Sequence, residues 1–182
     1  MEEEKQLSQQ EMEENAENKK VVVENKKQYM TFRSCEEVYG ISLDNVNEIL
    51  GLQQYTSVPE TEDYIMGRIN LRGKVIPVID IRIRFGRETI EYTDRTSVIV
   101  IQVKDTVIGL IVDGVEGVVD IADSAVLSPP TSVSDLRNQA QKYVFAIGKV
   151  DSEVKLLLDP EKLIFDTVEE ETKPEDEEDE EE

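Results

Sequence analysis

Between Thr96 and Asp113 the chain runs TSVIVIQV, KD, TVIGLIVD, two β-branched stretches parted by the polar pair Lys104 and Asp105. Two such stretches across so short a polar tip form a hairpin. The same rhythm recurs. QYMTFRS and VYGIS flank the polar residues 34–37, YVFAIGKV and VKLLLD flank DSE, and GVEGVVDI follows Gly114. KVIPVIDI carries β-branched residues on both faces, so both should be covered, and Pro77, lacking a donor, predicts an edge or a bulge there. Short strands at intervals of roughly ten residues, with no alternating βαβ units, predict small antiparallel barrels or a sandwich.

A few helical signals interrupt the strands. LDNVNEILG predicts one short helix, with Asp44 as N-cap, Val46, Ile49 and Leu50 on one face and Gly51 as C-terminal cap. PEKLIF begins with Pro160 at a good first helical position. TEDYIM suggests a helical turn whose Tyr64, Ile65 and Met66 pack on the core. QYTSVP is a possible strand ended by Pro59, IRIRFG fits a strand or an amphipathic turn equally, and ADSAVLSPPTSVSDLRNQAQK should be mostly loop. MGRINLRG reads as a polar loop hinged by Gly67 and Gly73, which places Arg72 directly before a buried strand. No internal repeat can be asserted.

Charge divides the chain into three. Residues 1–27 hold eight acids and five bases, residues 28–165 twenty-one and fourteen, and residues 166–182 twelve acids and one lysine. The net charge of −21 is therefore concentrated in a short tail. Both ends have too few apolar side chains to offset the entropy of ordering them, so a disordered arm is expected over 1–27 and a disordered acidic tail over 166–182. The remaining 28–165 is long enough to fold without a disulfide or metal.

The chain has no histidine and one cysteine, which removes the usual general base, the Ser-His-Asp and Cys-His arrangements and the His or thiolate zinc sites. Cys35, beside Glu36 and Glu37, is expected to be an inert thiol near a turn. Neither GxGxxG nor GxxxxGK[ST] occurs, so no cofactor is expected. Acidity and the absence of tryptophan argue against a nucleic-acid surface. With no export signal and no apolar run of spanning length, a cytoplasmic protein without direct membrane insertion is expected.

YGISLDNVNEIL, VPETEDYIMGRINLRGKVIPVIDIRIRFG, VIVIQV and GLIVDGVEGVV, in that order, resemble the CheW family of chemotaxis coupling proteins over about residues 27–165. The specific part is GxxNLRGxxIPVxDL, matched by Gly67, Asn70, Leu71, Arg72, Gly73, Pro77 and Asp80, with Ile81 in the last place. The resemblance implies a mainly β fold of two packed five-stranded SH3-like barrel subdomains with a few short helices. It also implies no catalytic activity and a scaffold that joins chemoreceptor cytoplasmic tips to the regulatory domain of the histidine kinase CheA, in arrays at the inner face of the membrane. The family's receptor-docking groove lies between the barrels, and Val46, Glu48, Gly67, Arg72 and Val118 match it. No attached receiver or kinase domain is expected, and the resemblance does not extend to the acidic ends.

From the residues alone, Arg68, Arg72, Lys74, Arg82, Arg84 and Arg87 make a locally basic stretch in an acidic protein. Guanidinium forks suit an acidic partner, whereas for Arg82, Arg84 and Arg87 a solvated rim with one or two intramolecular partners is the expectation. The resemblance places Arg72 and Glu48 together at the groove, where an ion pair between them would tie the loop to the expected helix. Two other functions stand against the adaptor: a small enzyme using carboxylates and arginine, and an acidic nucleic-acid mimic acting through its tails.

Overall fold

A computed structural model of the protein describes residues 24–129 and 139–166. Eleven strands form two sheets, ordered β8-β1-β2-β11-β10-β9 and β3-β6-β7-β5-β4. The strands are β1 (Lys26–Ser34), β2 (Glu37–Ser42), β3 (Val46–Gly51), β4 (Ile65–Leu71), β5 (Lys74–Asp80), β6 (Ser97–Val103), β7 (Thr106–Val112), β8 (Gly114–Ala122), β9 (Val126–Leu127), β10 (Val144–Val150) and β11 (Glu153–Leu158). The expected hairpins are present, with Lys104 and Asp105 at the β6–β7 tip. The pairing is antiparallel except at two places, where β2 runs parallel to β11, and β5 to β7.

Each sheet curls until its edges meet. Arg72, beyond edge strand β4, is ion-paired with Glu48 on the opposite edge strand β3. In the other sheet, Ile121 of β8 packs so closely on Gly148 of β10 that a Cβ there would lie 2.7 Å from the Ile121 Cδ1. Both sheets are therefore small barrels. The first is made of five long strands with the two-residue β9 appended.

The barrels repeat one plan. Gly40 of β2 faces Leu157 across the parallel pair, and Gly109 of β7 faces Val78. At both glycines an added Cβ would press on the partner's side chain, at 2.9 and 2.8 Å. Extra residues bulge β3 at Asn47 and β8 at Glu116, and likewise β4 at Met66 and β10 at Phe145. Asp80 and Asp159 then cap the helices Ile81–Arg84 and Pro160–Phe165, and their own N–H groups donate to the Tyr64 and Tyr143 carbonyls. The two halves thus repeat the same element order but exchange hairpins. β1–β2 completes the barrel of β8, β10 and β11, while β6–β7 completes that of β3, β4 and β5.

The largest core lies between the barrels and draws Phe32, Tyr39 and Leu158 from one and Ile79, Ile99 and Leu110 from the other. A run of rings, Phe32–Tyr39–Phe85–Tyr143, crosses it at centroid distances of 5.9, 5.0 and 5.8 Å. Smaller clusters fill each barrel, one around Val78, Val98 and Val100 and one around Tyr29, Ile121 and Leu157. Burying about 150–250 Å² per aromatic ring makes the shared core the main adhesive between the barrels.

Several expectations are corrected. The helix from Asp44 is a single 3-10 turn, Leu43–Asn45, followed by strand β3, because Val46 and Ile49 are β-branched and an edge on β6 is open to pairing. MGRINLRG is not a loop: strand β4 covers Ile65–Leu71 and only Arg72 and Gly73 turn. TEDYIM enters that strand at Ile65, and its Tyr64, Ile65 and Met66 do pack on core clusters. Pro77 lies in an interior strand, where its missing donor is harmless because the parallel pairing with β7 begins one residue later at Val78. IRIRFG resolves to the helical turn Ile81–Arg84. β1 already includes Lys26 and Lys27, paired with Ala122 and Ile121, although 1–27 was the expected arm. The rest of that arm up to residue 23, residues 130–138 of the expected loop and the tail from 167 lie outside the described residues.

Candidate docking site

The β4–β5 hairpin is joined by Arg72 and Gly73, with φ of 50° and 81°. Two-residue hairpin turns of matching twist require positive φ at both positions, which glycine accepts freely and arginine only at a cost. The Asn70 Oδ1 accepts the Gly73 N–H at 3.0 Å and holds the turn closed. Arg72 is thereby projected off the hairpin end, its side chain 80% exposed. Its Nη2 donates to the Glu48 Oε2 at 3.0 Å, and the Glu48 side chain is 24% exposed.

Gly67 acts on backbone geometry. Thr56 pairs with Arg68 in an isolated bridge, bonded both ways at 2.9 Å. A Cβ on Gly67, whose φ is 151°, would collide with the Thr56 carbonyl. The glycine therefore lets residues 55–57 lie against β4 and brace the hairpin that carries Arg72.

Val46 opens β3, half-buried against the shared core. Val118 lies in the other barrel on β8, opposite Met30 and 47% exposed. Of the five expected site residues, the structure joins Glu48 and Arg72 directly and places Gly67 in the strand leading to Arg72. Val118 belongs to the neighbouring barrel. Ile49, the counterpart of Val118 in the repeated plan, was expected to face a core; as a strand residue beside Glu48 it is 43% exposed. No local pattern in the sequence signals this, because apolar Val46, polar Asn47 and Glu48 and apolar Ile49 and Leu50 follow a helical spacing and not an alternating one.

Arg82 and Arg84 have structural roles, while Arg87 is exposed. Arg82 donates from Nε to the Asp113 Oδ1 at 2.8 Å, and the other Asp113 oxygen also accepts the Cys35 N–H, so this carboxylate ties the β1–β2 tip to the helix of the other barrel. Arg84 is not a solvated rim. It is buried, lies over the Tyr64 and Tyr143 rings at 4.3 and 4.9 Å, and donates to the Leu163 and Asp166 carbonyls. Cys35 forms part of a tight turn, and burial raises its thiol pKa, which keeps it protonated near neutrality. Asp80, the one buried carboxylate among the described residues, is occupied by its cap and by the Tyr92 hydroxyl at 2.8 Å. Among the described residues no cluster of three or more carboxylates or thiols could hold a metal.

Two fused barrels with a braced, ion-paired hairpin end and exposed aliphatic side chains on their strands define a docking scaffold. A CheW-like domain model matches residues 28–167. The chain is 34% identical to the chemotaxis protein CheW of Klebsiella aerogenes, over 75% of this chain and 81% of that one. To the CheW of Bacillus subtilis it is 43% identical, over 52% and 61% respectively. The scaffolding protein TtCheW of Thermoanaerobacter tengcongensis superposes with a TM-score of 0.69 and 32% identity, covering 76% of this chain and 92% of that structure. The chain belongs to the CheW family of non-catalytic chemotaxis coupling scaffolds.

Proposed function

We propose that this chain works in the cytoplasm at the inner face of the membrane and joins the cytoplasmic tips of chemoreceptors to the regulatory domain of the histidine kinase CheA. Val46, Glu48, Gly67, Arg72 and Val118 form the receptor-docking surface in this reading. The observation that carries it is the Glu48–Arg72 pair, which presents a guanidinium on a braced turn beside the exposed strand β3. A guanidinium so held can bind a carboxylate of a receptor helix through its remaining donors. Among the described residues no helix is long and apolar enough to cross a membrane, which suits attachment through a receptor.

The kinase contact is assigned to apolar barrel surface, because interface centres are depleted of charge. Val75 and Val154, 64% and 50% exposed at equivalent places in the two barrels, illustrate the side chains available. Titration calorimetry against a CheA regulatory domain and a receptor-tip fragment tests the proposal. Both should bind, and kinase affinity should fall only modestly with salt. Failure to bind either partner would remove the coupling role, and a salt dependence as steep as that of a phosphate binder would refute the apolar contact.

A further inference from the structure

The repeated plan brings out one position at which the two barrels differ in kind. In the β4–β5 hairpin the third pair from the turn is Ile69 with Ile76, and in β10–β11 it is Gly148 with Lys155. Ile76 belongs to the apolar filling of its barrel, whereas Lys155 carries an ammonium in the same place and is equally buried. It is the one buried lysine among the described residues. A charge so enclosed is costly unless it is paired. The Lys155 Nζ lies 2.6 Å from a carboxylate oxygen of Glu153 and 3.6 Å from one of Glu116, and the other Glu116 oxygen accepts from the Arg33 Nη2 at 2.5 Å. Glu153 is mostly in water, so Glu116 of β8 is the enclosed partner, held by Arg33 of β1 on one side and by Lys155 of β11 on the other.

Glu116 is the extra residue of the β8 bulge. Strict alternation would put Val115 and Val118, three residues apart, on opposite faces of the strand. The bulge puts both on the outer face. Val115 packs against the core between the barrels, Val118 is exposed, and Val119 points into the barrel with Ile121. Next to Glu116, the Gly117 carbonyl accepts the buried Thr31 hydroxyl at 2.9 Å. Two cations and a hydroxyl thus pin the two residues that precede Val118, and a bulge held in this way fixes the aim of the side chain beyond it. The other docking strand has a matching arrangement: β3 bulges at Asn47, and the next residue, Glu48, is held by Arg72.

We propose that Lys155 is a positioning residue for receptor docking: by holding Glu116 it fixes the bulge that turns Val118 outward. The inference rests on the reading of Val118 as part of the docking surface. Lys155, enclosed in the barrel, acts through Glu116 and not on the receptor itself.

Calorimetric titration of a receptor-tip fragment into the full chain, into K155M, E116Q and V118A, and into the double variants K155M/V118A and E116Q/V118A tests this. K155M should fold, because it keeps an unbranched stem, leaves Glu116 with Arg33, and puts an apolar side chain where the other barrel has Ile76. It should weaken binding about 2–30-fold, the range for residues that act on a ligand without touching it. In the V118A background the same substitution should change affinity by less than about twofold. E116Q keeps the bulge residue and removes its charge, so it should behave alike, and it carries the test if thermal unfolding shows K155M to be unfolded. A loss of stability alone would lower affinity equally with and without Val118. Wild-type affinity in either folded variant, or equal losses in both backgrounds, would overturn the positioning role and leave the docking surface standing. A chain that does not bind the fragment, or a V118A variant that binds it undiminished, would instead remove the docking reading of Val118, and this inference with it.

Discussion

Arg72 takes a left-handed backbone, unusual for a side chain with a Cβ, and spends one of its donors on Glu48. Because the guanidinium is largely in water, the pair contributes about 0–1 kcal/mol to stability. Arg72→Ala should therefore leave thermal unfolding nearly unchanged while weakening receptor binding. In a cycle with Glu48→Ala, the coupling on binding should exceed the coupling on stability. Unchanged binding by Arg72→Ala would remove its docking role. Tyr92 makes a separate prediction. Burial first, and then its bond to Asp80, raise the phenol above its ordinary value near 10.0. A raised pKa means that the fold favours the protonated ring, so this contribution is fully present below about pH 10 and is lost as pH rises further. Tyr92→Phe should flatten the alkaline decline of stability, and an unaltered slope would dismiss Tyr92 as its cause.

At the scale of elements, the two helices compare one device in two settings. Asp159 caps its helix by accepting from Glu161 and Lys162 N–H groups at 2.9 and 3.2 Å, in reach of solvent. Asp80 caps from a buried position and also receives Tyr92. Asp159→Ala should cost about 0.5–2 kcal/mol in urea unfolding. Asp80→Ala should cost about 1–3 kcal/mol more, because the half-buried Tyr92 hydroxyl loses its carboxylate acceptor. Equal losses would show that Tyr92 finds water instead. The hairpins and the Pro160 helix were legible in the sequence because their signals are local: polar tips, alternation and a cap. VNEILG was misread because Asp44 and Gly51 mimic helix ends, while its pairing with β6 is settled some fifty residues away. The Glu48–Arg72 pair was expected by resemblance alone, since it closes a barrel whose curvature no local pattern encodes.

For the whole molecule, the exchange of hairpins makes each barrel depend on both halves of the chain, and the largest core lies between them. Neither barrel can open without withdrawing strands from a partner that also loses core contacts. Scanning calorimetry should therefore show one transition, with calorimetric and van't Hoff enthalpies equal. Two resolved transitions would mean that the barrels are thermally independent. The repeated plan was invisible in the sequence because few side chains are shared between equivalent positions. What recurs is backbone: glycines at the parallel crossings, extra residues at matching bulges, aspartates at the caps.

The exchanged hairpins also bear on ancestry. A polypeptide of half this length, carrying one copy of the plan, would have no complete barrel of its own. It could close one only by trading its first hairpin with a second copy, giving a symmetric pair. The present chain has the architecture of such a pair joined end to end. The two copies differ in side chains where the backbone repeats: the turn that holds Arg72 and Gly73 in one is Asp151 and Ser152 in the other, with positive φ at all four positions and the charge reversed.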